Sequence, residues 1–156
     1  MSHAYWILRL VHGYWRWMVL VGAVVALARA ALGRGSAWTA RDECVSRLFV
    51  AFVDVQVSLG LILYFGFSPF WPTVRDSFHD AIKDPSARFF GMEHGTAMLL
   101  ALAAAHVGRL RVRRAIDGPA KHRALLASVL VFFTLVLWAI PWPWRAIGRP
   151  LFRVSL

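Results

Sequence analysis

The chain is nearly without cysteine and short of negative charge. Cys44 is the sole cysteine among 156 residues. No intrachain disulfide can form, and no cysteine-ligated zinc or iron–sulfur centre can be built from this chain alone. The c-type haem attachment motif is missing, so any haem would be held without a covalent bond. There is no G-x-S-x-G, no H-E-x-x-H and no P-loop, which leaves nucleophilic, zinc-hydrolase and nucleotide chemistry without their usual signals. Internal repeats and low-complexity segments are also lacking. Acids number 8 against 18 Lys and Arg, a net charge of +10. On a soluble chain that surplus would point to nucleic acid. Here the bases sit in short loops and at helix ends, where they read as topology signals and contacts to anionic lipid, with no nucleic-acid partner.

Apolar residues are plentiful, 59% of the chain. Four apolar runs, over about 6–32, 45–67, 89–107 and 125–140, approach the ~20 residues that cross a bilayer. This predicts an all-α protein, a four-helix transmembrane bundle forming one integral membrane domain over residues 1–156. The run near the N-terminus, with Ala28-Arg29-Ala30, loosely mimics a signal peptide. Its aromatic start, with Trp6, Tyr14, Trp15 and Trp17, favours a retained helix.

Orientation follows from Lys and Arg in the short loops. The third loop carries Arg109, Arg111, Arg113, Arg114, Lys121 and Arg123 against Asp117 alone, and the first carries Arg34, Arg41 and Arg47. Both are expected to face the cytoplasm. Both termini and the second loop then face the periplasm, although Arg9, Arg16, Arg145, Arg149 and Arg153 vote the other way. Seven of the eight tryptophans fall toward the outer side, more than interfacial anchoring requires, which suggests an aromatic-walled site or a partner surface there. In the second loop, Pro72 opens and Pro85 closes a short amphipathic pattern with Val74, Phe78, Ala81 and Ile82 on one face. It predicts an interfacial helix between spans two and three. Pro141 and Pro143 end the fourth helix, and the tail from Arg145 to Arg153 is expected along the surface.

The ionisable residues inside the spans are the functional candidates, because they are costly in lipid. Arg9, His12 and Arg16 share one face of the first helix. Arg88, Glu93 and His94 begin the third. At ~1.5 Å per residue, His12 and His94 lie at similar depths, roughly 9–10 Å along helices that run parallel. Facing imidazoles in a bundle can clamp a haem iron. Gly13, Gly91 and Gly95 would admit a macrocycle, and Arg9, Arg16 or Arg88 could pair with its propionates. A competing reading makes the cluster a structural polar network, with Gly91 and Gly95 as a G-x-x-x-G packing face and Arg9 and Arg16 paired to Glu93. Asp54 and Gln56 lie midway along the second helix, where they could serve a proton pathway, contact a quinone or bond a neighbouring helix. His106 and His122 flank the third loop as a second ligand pair or as interfacial histidines. Met92, His94 and Met98 raise copper as a further candidate.

Several segments carry a family resemblance: His12-Gly13-Tyr14-Trp15-Arg16, Gly60-Leu61-Ile62-Leu63-Tyr64-Phe65, Arg88-Phe89-Phe90-Gly91-Met92-Glu93-His94, and Ile140-Pro141-Trp142-Pro143-Trp144-Arg145 with Gly148-Arg149-Pro150-Leu151-Phe152. Together they resemble a family of small bacterial four-helix membrane proteins commonly labelled cytochrome b-like. The resemblance spans nearly the whole chain. It implies a haem b protein of the bacterial inner membrane with His12 and His94 as ligand candidates. The family often has a further histidine in the second helix near Asp54–Gln56, and this chain has none there. The function expected is electron transfer as a subunit of a redox complex, an electron carrier more than an autonomous enzyme. An accessory scaffold subunit and a proton or ion pathway through Asp54 are the alternatives.

Overall fold

In a computed structural model describing residues 3–152, the chain is all-helical, with no strand among the described residues. Arg153 lies outside the described residues. Two long helices come first, α1 (His3–Leu32) and α2 (Ala40–Phe67). Three short ones follow, α3 (Phe70–Asp76), α4 (Phe78–Lys83) and α5 (Pro85–Arg88). A π-helical turn, Phe89–Glu93, leads into α6 (His94–Arg114), and α7 (Gly118–Ala139) closes the set. Helices α1, α2 and α7 are each long and apolar enough to cross a membrane. Helix α6 falls outside that group; it carries two histidines, Arg109 and Arg111.

The long helices overrun the apolar stretches because their polar ends are capped. Helix α2 starts at Ala40 rather than near residue 45. Thr39 and Asp42 form a reciprocal capping box there, which satisfies backbone donors that the first turn leaves open. Arg29 reaches across from α1 and bonds Asp42 at 2.7 Å. Helix α7 starts at Gly118 because Asp117 caps Ala120 N–H at 2.6 Å and a proline sits in the first turn.

Buried positions recur at spacings of three and four. On α7 they are His122, Leu125, Val129, Phe132, Val136 and Ala139; on α6 they are Ala97, Ala101, Ala105, Gly108 and Val112. This period keeps one stripe facing its neighbours along the whole helix. The α6 stripe is almost all small, so α6 lies close against α7. A Cβ on Gly108 would stand 2.1 Å from Ser128. Phe49 of α2 meets Phe132 of α7 edge to face at 5.0 Å. Helix α1 packs along α2 and α7, and α6 along the same two. Helices α1 and α6 therefore stand diagonally across the interior.

The second loop is broken more often than its apolar pattern suggests. Ser77 takes an extended backbone and caps α4 by accepting from Asp80 N–H. Asp84 and Pro85 then start α5 as they end α4. Helix α3 is pinned beneath Tyr64, Phe65 and Phe90 by Trp71 and Phe70, with centroids 5.1–5.6 Å apart. Val74 occupies the space where Gly91 has no side chain.

The C-terminal tail lies at the surface of the molecule, with no residue of 145–152 buried. It folds back over the start of the molecule. Arg149 N–H bonds the Pro141 carbonyl at 3.0 Å, and Phe152 stacks on Trp17 at 5.2 Å and 8°. Arg16 Nη2 donates to the Leu151 carbonyl at 2.8 Å.

Candidate functional site

The helices α1, α2, α6 and α7, the lid helix α3 and the tail enclose a cavity of about 530 Å³. That is ample for an organic cofactor. Most of its wall is apolar, including Val53, Val57, Leu99, Phe132 and Val136. Its aromatics are tyrosines and phenylalanines, among them Tyr5, Tyr64, Phe70 and Phe90. No tryptophan lines it; the excess of tryptophan braces the periphery instead, as Trp17 does on Phe152 and Trp142 on Trp144.

His12 from α1 and His94 from α6 meet across the diagonal in this cavity. Their ring centroids are 6.5 Å apart with planes at 73°. The expected match in depth is therefore present. The two rings are held by different partners. Ala139 is the last residue of α7, so its carbonyl has no intrahelical partner. It lies 2.9 Å from His94 Nδ1 and takes the proton there. His94 Nε2 is left as the nitrogen with a lone pair, the arrangement that orients metal-bound histidines. The π turn precedes this residue directly, closing with His94 N–H on the Phe89 carbonyl. Such turns re-aim side chains at functional sites. Against His12, Gln56 Nε2 stands 3.2 Å from the main-chain carbonyl and 3.2 and 3.3 Å from ring Nε2 and Nδ1, so a ligand on that ring would displace one of these contacts. Gly60 leaves room for that ring, since a Cβ there would come within 3.2 Å of it.

The cavity is basic as well as apolar. Arg9, Arg16 and Arg149 line it, and no carboxylate does among the described residues. Arg9 lies over Tyr5 and Trp6 at 5.6 and 5.5 Å. Arg149 lies over Phe90 at 4.8 Å. Burial, and after it the charge of Arg9, depress the Arg149 pKa below its ordinary value. Two polar atoms of the wall, Arg16 Nε and Gln56 Oε1, are buried without a partner among the described residues.

Of the residues singled out by sequence, Arg9, His12, Gly13, Arg16, Gly91, His94 and Gly95 all line this one cavity, as does Gln56. A Cβ on Gly13 or Gly95 would meet nothing within 4 Å, whereas the missing side chain of Gly91 admits α3. Arg88 is not in the wall; its Nε donates to Glu93 at 2.9 Å. Glu93 is thereby taken by Arg88 and not by Arg9 or Arg16. The tail supplies the third arginine, Arg149, which sequence spacing could not bring to α1. Asp54 also lies outside the wall and bonds His106 Nε2 at 2.7 Å. His106 and His122 part company: His122 is buried against Trp38 at 4.9 Å and against Gly33. His79 is exposed and does not line the cavity.

Among the described residues, no three of His, Cys, Asp and Glu gather in a metal-binding group. Two imidazoles alone suit a metal whose other ligands arrive with it, as in a porphyrin. Imidazole nitrogens bind first-row metals at about 2.0–2.1 Å. Two rings sharing one metal then have centroids about 6 Å apart. The observed separation, the apolar wall, the open glycines and the unopposed arginines all fit that group. No family model, curated protein or solved structure matches the chain.

Proposed function

We propose that this chain is a four-helix transmembrane bundle of a bacterial inner membrane, with both termini periplasmic, that holds a non-covalent b-type haem near the outer face. In this reading it belongs with the cytochrome b-like proteins it resembles and is a one-electron carrier within a larger redox complex. The observation that carries the proposal is the pair of imidazoles facing each other at 6.5 Å across a basic, otherwise apolar cavity.

His12 and His94 would hold the haem iron. Haem, when bound, supplies reversible one-electron chemistry, and the protein tunes it by ligation and burial. The Ala139 carbonyl fixes the tautomer and aim of His94, and Gln56 holds His12. Arg9, Arg16 and Arg149 receive the carboxylates of the ligand, since guanidinium groups pair well with them. Gly13 and Gly95 leave the space that a flat macrocycle fills. Helix α3 and the tail add Phe70, Arg149 and Leu151 to the wall of the site. Asp54 is bonded to His106 away from the cavity, so it offers His12 no direct proton route.

A reduced-minus-oxidised visible spectrum of the purified protein tests this. The wild type should show a b-type band. His12→Ala and His94→Ala should each abolish haem retention, while His3→Ala should keep it. A colourless wild type after haem-replete expression, or equal retention in all three variants, rejects the assignment.

A further inference from the structure

Asp54 and His106 sit near the middles of α2 and α6, on the outer seam between them. The distance from His106 Nε2 to Asp54 Oδ1 is 2.7 Å, and the side chains are 53% and 46% exposed. Around them small exposed residues, Ala51, Ser58 and Ala103, lie among larger ones, Val55, Val107 and Leu110. The outward faces of α1 and α7 are different. In mid-helix they present Met18, Val21, Leu130 and Val131, and the Thr134 hydroxyl is returned to the Leu130 carbonyl.

An acid and a base turned toward acyl chains are expensive, and such residues in spans normally face protein or water. The intramolecular bond uses only half of what they offer. With one proton shared between Nε2 and Oδ1 the pair is neutral overall, and it keeps an N–H at Nδ1 and a second oxygen on the acid. The surplus is thus one donor and one acceptor, side by side. Such a surface is complementary to itself. A two-fold axis through the seam would bring each donor to the other copy's acceptor. The small flanking residues allow the close backbone approach on which helix association in lipid depends.

We propose that this seam is the interface of a homodimer in the membrane. The His106 ring of each copy shares a proton with its own Asp54 through Nε2 and donates through Nδ1 to the Asp54 of the other. The two acids and two bases close an electrically neutral ring, shielded from lipid by the paired helices. The proposal rests on the transmembrane reading above but not on the haem, because neither Asp54 nor His106 lines the cavity.

The test is the oligomeric state of the full chain in detergent and in nanodiscs, by light scattering and native mass spectrometry. A dimer is expected. Asp54→Leu with His106→Leu should weaken association by on the order of tenfold. A cross-link in membranes covers the case in which that variant fails to fold. With Cys44→Ser as background, Ser58→Cys should oxidise to a covalent dimer and Leu130→Cys should not. A monomeric wild type, a dimer indifferent to the double substitution, or cross-linking at 130 and not at 58 overturns the proposal. The His12→Ala variant should remain dimeric, which separates this outcome from failure of the haem assignment.

Discussion

At the scale of single residues, the glycines separate packing from space. A Cβ on Gly108 would stand 2.1 Å from Ser128, and one on Gly33 would stand 2.2 Å from the His122 ring. Gly13 and Gly95 face open cavity instead. Gly108→Val should therefore destabilise the protein by about 1–3 kcal/mol through overpacking. Gly13→Leu and Gly95→Leu should leave thermal unfolding near wild type, because a helix gains up to ~1 kcal/mol when glycine is replaced by a better helix former. Yet each should lose haem, because the new side chain fills its place. Paired measurements of melting temperature and haem stoichiometry check this, and a stable, fully loaded Gly95→Leu protein would contradict it. The sequence identifies Gly13 and Gly95 by their nearness to His12 and His94. It does not tell them from Gly91, whose space is taken by Val74 of a helix far away in sequence.

At the scale of elements, spans were easier to read than ends. Hydropathy locates α1, α2 and α7, because burial in lipid or protein demands long apolar runs. The run over 89–107 instead holds the π turn and part of α6, which is not apolar enough to join them. Hydropathy does not locate where helices start, because caps are made by polar residues outside the run. Helix α2 begins five residues before its apolar stretch on the strength of Thr39 and Asp42. The pair is visible in the sequence as T-x-x-D, a variant of the capping box, once a helix start is sought there. Thr39→Ala should cost about 1 kcal/mol of stability. Asp42→Ala should cost more, about 1–3 kcal/mol, because it also strips Arg29 of its partner and leaves the Thr39 N–H unbonded. Thermal unfolding in one detergent should rank the two in that order. The π turn before His94 is harder still to foresee. Gly91 within it packs under α3, a tertiary contact that no local pattern encodes.

At the scale of the whole molecule, the tail completes one side of the cavity wall. Two arginines of the wall, Arg9 and Arg16, were legible because a helix with bases at spacings of three and four must turn them inward. The third, Arg149, was not, since nothing in the spacing of 145–152 says that the chain reverses onto α1. The reversal rests on Gly148, where a Cβ would meet three carbonyl oxygens at 2.5–2.7 Å, and on Phe152 stacked against Trp17. It also rests on Arg16 donating to the Leu151 carbonyl. These contacts bind the tail to the part of α1 that carries His12. Deleting residues 145–156 should accordingly leave the helical content, read by circular dichroism, almost intact, because the buried stripes of the long helices lie elsewhere. It should remove Arg149 and open the cavity, so that haem is lost. Gly148→Val should give a milder form of the same loss. Were the truncated chain to keep a full haem complement, the tail would be dispensable and the carboxylates of the ligand would have to be held by Arg9 and Arg16 alone.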